Sequence, residues 1–229
     1  MSLRTFMESR HVPNGLRRAL LGVMVGLAWP VVTFAAGVEG IVALEAMPPL
    51  QPGAQYRGRT RTPVLPPDAA RAVVWLETAD GQYPAGTPAT EMLIAQEGYQ
   101  FRPGIIALQK GTQARFPNHD EEFHSVFSYS QTKRFDLGRY RKGEETPPVI
   151  FDKTGVVKIY CEIHKHMRSI VLVLDSPWFV VSDQEGTYRL TGVPEGDYLL
   201  KAWLPTERTF EAPVQLRGET LQRVNLGDP

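Results

Sequence analysis

The chain contains one cysteine, and the stretch that holds it, CEIHKHM, puts Cys161, His164 and Met167 at intervals of three residues. A thiolate, an imidazole and a thioether are soft or borderline donors, a set that suits copper or zinc rather than magnesium or calcium. One thiolate, one imidazole and a weak axial thioether make up most of an electron-transfer copper site, which then needs a second imidazole. The upstream stretch FPNHDEEFHSVFS offers two. His124 opens a strongly β run that can hold it still, whereas His119 sits in a polar loop beside Asn118 and three acids. His124 is therefore taken as the second imidazole, and the N–H of Ser125 is then placed to donate to the Cys161 sulfur. Zinc is the competing metal for Cys and His donors; the single thiolate and the thioether favour copper. The ordinary alternative for Met167 is core packing. His119 with Asp120, Glu121 and Glu122 reads as a solvated acidic loop, and His166 as an outward-facing side chain between Lys165 and Arg168.

These residues need a frame that converges on them. VVKIY before the cysteine and SIVLVL after Met167 read as neighbouring strands, so that CEIHKHM is the short loop joining them. Similar β-branched or alternating runs recur along the chain, among them AVVWLE (72–77), GIIALQ (104–109), HSVFSYS (124–130) and YLLKAWL (198–204). Gly and Pro punctuate them, and no helical period is sustained, which predicts an all-β chain of sandwich or barrel type. Residues 46–70, rich in Pro, Arg and Gly, read as a long surface excursion, and the DSP at 175–177 as a hinge.

At 229 residues and 42% hydrophobic content the chain can bury a sizeable core. Lys plus Arg (25) equals Asp plus Glu (25), so no global field draws it to nucleic acid or anionic lipid. A basic lead with Arg4, Arg10, Arg17 and Arg18 precedes an apolar run that ends in Ala35, Ala36 and Gly37. This layout predicts an export signal over 1–36, with cleavage near residues 35–37; a retained membrane anchor is the other reading of the same run. Outside the cytoplasm a lone thiol with no disulfide partner calls for an occupant, and a metal is one.

FRPGIIALQKGTQARFPNHDEEFHSVFS followed by GVVKIYCEIHKHM resembles the cupredoxin family, specifically its bacterial plastocyanin- and amicyanin-like members. FSYSQTKRFDLGRYRKGE is similar to a methylamine-utilisation-type subgroup. The likeness covers about residues 90–175, and the Cys, two residues, His, two residues, Met spacing is that of the short amicyanin ligand loop. It departs from the family at Ser125, where Asn is frequent, and at Lys165, where Pro is frequent. The resemblance implies a Greek-key sandwich, one type 1 copper ion, and the ligands His124, Cys161, His164 and Met167. VVSDQEGTYRLTGVPEGDYLLKAWLP resembles carboxypeptidase-regulatory, transthyretin-like domains, and GVEGIVAL and RAVVWLETADG resemble the opening strands of that fold. The expected layout is a cupredoxin domain over 89–175, with a second small β-sandwich built from 37–88 and 176–229 on either side of it.

Two His, one Cys and a weak Met hold copper between the geometries its two oxidation states prefer and leave no position for a substrate. The expectation is accordingly a periplasmic one-electron carrier and not an enzyme; a copper carrier that exchanges no electrons is the alternative. In cupredoxins the second imidazole, here His164, reaches the surface, and its basic neighbours Lys165, His166 and Arg168 suggest a redox partner with an acidic face. A c-type cytochrome or a quinoprotein dehydrogenase would fit, with no part for nucleic acid or, after signal removal, membrane.

Overall fold

A computed structural model describes residues 36–45, 60–84, 91–218 and 220–227. The export signal read over 1–36 lies outside the described residues except for Ala36, and so does most of the Pro-rich excursion, 46–59. Among the described residues there are strands and no helices, as the sequence led us to expect, and no helix is long and apolar enough to cross a membrane.

The sheet that matters most for chemistry has five strands: β6 (Ile105–Gln109), β8 (His124–Tyr129), β9 (Arg134–Tyr140), β11 (Gly155–Tyr160) and β12 (Arg168–Leu174). Their order across the sheet is β6-β12-β11-β8-β9. β6 runs parallel to β12, and the other pairs are antiparallel. Facing it are β3 (Met92–Leu93), β7 (Gln113–Arg115) and β10 (Val149–Ile150), together with the hairpin of β4 (Ala95–Glu97) and β5 (Gln100–Arg102). Alternate residues Val157 and Ile159 of β11, and Val171 and Val173 of β12, point into the core between them, as the two-residue period of a strand requires.

A second pair of sheets draws its strands from both ends of the chain. One consists of β1 (Ala36–Ile41), β14 (Thr187–Val193) and β17 (Leu221–Arg223), with β1 in the middle. The other comprises β2 (Val73–Thr78), β13 (Phe179–Val181), β15 (Gly196–Trp203) and β16 (Thr209–Leu216), in the order β13-β2-β15-β16. Val38, Val74, Leu76, Tyr188, Leu200 and Val214 belong to the core between these two sheets. At its rim Gly186 closes the Asp183 turn with φ +84°, and a Cβ there would lie 2.1 Å from the Val42 carbonyl oxygen, so only glycine fits.

The two sandwiches meet through the odd-numbered face of β2. Val73 and Trp75, with Trp203 of β15, pack in one cluster with Ala107, Leu172 and Leu174 of the five-stranded sheet. That sheet is therefore buried on both faces along β6 and β12, which explains why IIAL (105–108) and IVLVL (170–174) are unbroken apolar runs and not alternating ones. Trp203 is 6% exposed at this junction. We expect Trp203→Ala to cost about 3–5 kcal/mol, read as a lower urea midpoint of the metal-free protein.

Candidate metal centre

The loop 161–167 joins β11 to β12, whose last and first residues, Tyr160 and Arg168, face each other in register. Two backbone bonds tighten it: Met167 N–H donates to His164 O at 2.9 Å and Cys161 N–H to Met167 O at 3.3 Å. Cys161 and His164 are thereby turned toward the start of the adjacent β8, where His124 stands opposite Tyr140 of β9. The Nδ1 atoms of His124 and His164 lie 2.9 Å apart, and the Cys161 sulfur is 3.7 Å from His164 Nδ1. The three donor atoms all lie within 4.8 Å of one another. Exposures of 0% for His124, 3% for Cys161, 6% for His164 and 0% for Met167 make the site dry, and Met167 shares its apolar core with Cys161.

Around the sulfur, Ser125 supplies both the N–H (3.5 Å) and the hydroxyl (3.8 Å), and that hydroxyl accepts from Glu162 N–H at 2.8 Å. Burial by itself would push the Cys161 thiol up, but hydrogen bonds from the two imidazoles and from Ser125 outweigh it and bring it down to about 5. The sulfur is thus predisposed to its ligating form. His124 is pushed down by burial and more strongly up by Asp120 and the cysteine sulfur, for a net rise.

Asp120 is the functional residue that sequence reasoning missed. Far from being solvated it is 1% exposed, and its Oδ2 lies 2.8 Å from His124 Nε2. The same carboxylate accepts the N–H groups of Gly98 (2.7 Å) and Tyr99 (2.9 Å). Burial pushes its carboxyl up, yet the bonds from His124, Tyr99 and Gly98 hold it below the ordinary value. Held at Nε2 by a carboxylate, the His124 ring keeps Nδ1 toward Cys161 and His164. Only the exposed members of the supposed acidic loop, His119 and Glu121, fit the solvated reading.

His166 also departs from expectation. It is 8% exposed and not outward-facing, with its ring 6.3 Å from that of His164 and a hydrogen bond to the Tyr99 backbone. The alternation HKHM turns Lys165 to solvent and both histidines inward. His164 itself is buried, so the surface near the site is supplied by the exposed Lys165 and Arg168.

The donor chemistry fits copper. Two imidazole nitrogens and a thiolate converge at a buried point, with a thioether in the same core as the cysteine.

No protein-family model and no curated protein matches this sequence. Solved structures resemble part of it. Amicyanin from Paracoccus versutus is 19% identical, matching 39% of this chain and 87% of its own at a TM-score of 0.34. A purple cupredoxin from Nitrosopumilus maritimus is 22% identical over 38% of this chain and 100% of its own, TM-score 0.33. A methionine-to-alanine mutant of amicyanin with Cu(I) is 14% identical over 40% of this chain and 95% of its own, TM-score 0.34.

Proposed function

We propose that this chain is an exported type 1 copper protein that passes single electrons between redox proteins in the periplasm, with His124, Cys161, His164 and Met167 holding the metal. The observation that carries this reading is the convergence of one predisposed thiolate and two imidazoles at a buried point. Copper bound there would supply a one-electron couple. The chain's own residues keep the site rigid: β8 carries His124, the end of β11 delivers Cys161, Asp120 fixes one ring, and Ser125 donates to the sulfur. Burial of all four side chains leaves no face for a substrate, which favours a carrier over an enzyme, and disfavours a delivery protein, whose ligands must be reached by a recipient.

The segment 89–175 is read as the copper module, set between the two halves, 37–88 and 176–229, of the second sandwich. Pairing of β1 with β14 and β17, and of β2 with β13 and β15, supports this. The exposed Lys165 and Arg168 favour a partner with an acidic face, such as a c-type cytochrome or a quinoprotein dehydrogenase; the nearby Glu162 is engaged by Arg139 at 3.1 Å.

Adding Cu(II) to the purified metal-free protein is expected to give an intense thiolate-to-copper absorption in the visible range that bleaches on reduction and returns on reoxidation. A spectrum with no such absorption would defeat the reading. Electron-transfer rates to an acidic partner should fall as added salt screens the attraction.

A further inference from the structure

Tyr99 is placed in a way that packing alone does not require. It is the second central residue of the β4–β5 hairpin turn, where Gly98 has φ +61° and Tyr99 itself φ +60°. Two successive positive φ values make a tight hairpin turn in which glycine or asparagine usually takes the second position, and a bulky side chain there is disfavoured. The ring nevertheless lies 2% exposed against both histidines. Its centroid is 5.6 Å from that of His124 at 90° and 4.9 Å from that of His164 at 81°. These edge-on contacts reach both imidazoles from one side chain.

What holds this ring in place comes from outside the hairpin. The Tyr99 hydroxyl is hydrogen-bonded to Glu122 and Thr60. Glu122 is in turn fixed by Arg61 N–H at 2.8 Å and by the Thr62 hydroxyl at 2.7 Å. Residues 60–68 form an extended strap that continues along the hairpin: Leu65 N–H donates to Gly98 O at 2.9 Å, and Asp68 accepts from Gly104 N–H at 2.8 Å. The strap sits so close that a Cβ on Gly98 would come within 2.3 Å of the Leu65 side chain. Asp120, which bonds the Tyr99 N–H and His124, closes the arrangement from the inner side.

We propose that Tyr99 is a positioning residue for the metal site: clamped at its hydroxyl by Glu122 and the 60–62 strap, its ring fixes the relative orientation of the His124 and His164 imidazoles. This rests on the copper reading above. An ion shared by two imidazoles is sensitive to their mutual angle, and a ring held rigidly against both would restrain that angle.

The test compares the full chain with Tyr99→Leu, Tyr99→Phe and Glu122→Gln. Copper-loaded Tyr99→Leu should show a changed visible and electron-paramagnetic-resonance spectrum, a shifted reduction potential and a Cu(I) affinity lower by about 10–100-fold against a competing chelator. Tyr99→Phe, which keeps the ring, and Glu122→Gln, which weakens the clamp, should fall between it and wild type. In metal-free protein, His124 and His164 should each give one set of ring-proton resonances in wild type and broadened or doubled ones in Tyr99→Leu. A folded Tyr99→Leu with wild-type spectrum, potential and affinity would overturn the proposal while leaving the copper reading intact. Wild type that takes up no copper would overturn the copper reading, and sharp unchanged histidine resonances in metal-free Tyr99→Leu would then overturn the positioning role separately. Should Tyr99→Leu fail to fold, Tyr99→Phe and Glu122→Gln decide: unchanged spectrum and potential in both would remove the clamp.

Discussion

Cys161→Ser is expected to abolish the visible thiolate-to-copper absorption of the loaded protein while far-ultraviolet circular dichroism stays as in wild type. The sulfur is the donor of that transition, and a hydroxyl oxygen cannot replace it at these energies. The fold should survive because the substitution changes little volume at a position 3% exposed. A cost of about 1–3 kcal/mol is anticipated from burying a hydroxyl whose partners were set for sulfur. Visible absorption after Cu(II) addition, alongside a urea melt of the metal-free variant, checks both halves. Retention of the colour in the variant would mean that another group binds the ion.

Asp120→Ala should cost the metal-free protein about 3–5 kcal/mol of stability, as much as the loss of a buried tryptophan. One carboxylate satisfies three buried donors, the N–H groups of Gly98 and Tyr99 and Nε2 of His124, at 2.7, 2.9 and 2.8 Å. Its removal leaves all three without an acceptor, in a turn whose positive φ at Tyr99 already disfavours it. Copper affinity should fall by about 10–100-fold in addition, since His124 loses the group that orients it. Asp120→Asn separates the causes, because it keeps the size and one acceptor but loses the charge. Urea unfolding without metal and chelator competition with metal measure the two effects. A stability loss below about 1 kcal/mol for Asp120→Ala would show that the turn is held by the strap alone.

The element types were legible because strand sequences here carry their environment. IIAL (105–108) and IVLVL (170–174) are apolar throughout, and both faces of their sheet are buried along them; VVKIY, on the neighbouring β11, alternates more. Two strands are weakly marked in the sequence because they border their sheets with little to cover them. β9, RFDLGRY, borders the five-stranded sheet, and β16, TFEAPVQL, borders the four-stranded one. Both have mostly exposed or half-exposed side chains, so they tolerate charges and even Pro213 and their apolar signal is weak, whereas β6, also at an edge, is covered on both faces and reads clearly.

Within the site, residues close in sequence could be grouped from spacing, and His124 could be chosen over His119 because only the former opens a strand. Asp120, Tyr99 and the 60–68 strap could not be found that way. Their contacts with His124 and Glu122 are made by a loop, a hairpin and an extended segment whose separations in sequence do not reflect any period.

That the chain is all-β, and that a thiol, imidazoles and a thioether are presented by one short loop and a strand start, is written in contiguous residues, because local spacing and strand periodicity are their properties. The inward turn of His166, the buried aspartate that anchors His124 and the strap that reaches the histidines through Tyr99 arise from packing between distant segments. Burial and long-range hydrogen bonds depend on which segments meet in space, and a chain read in order holds no local trace of those meetings.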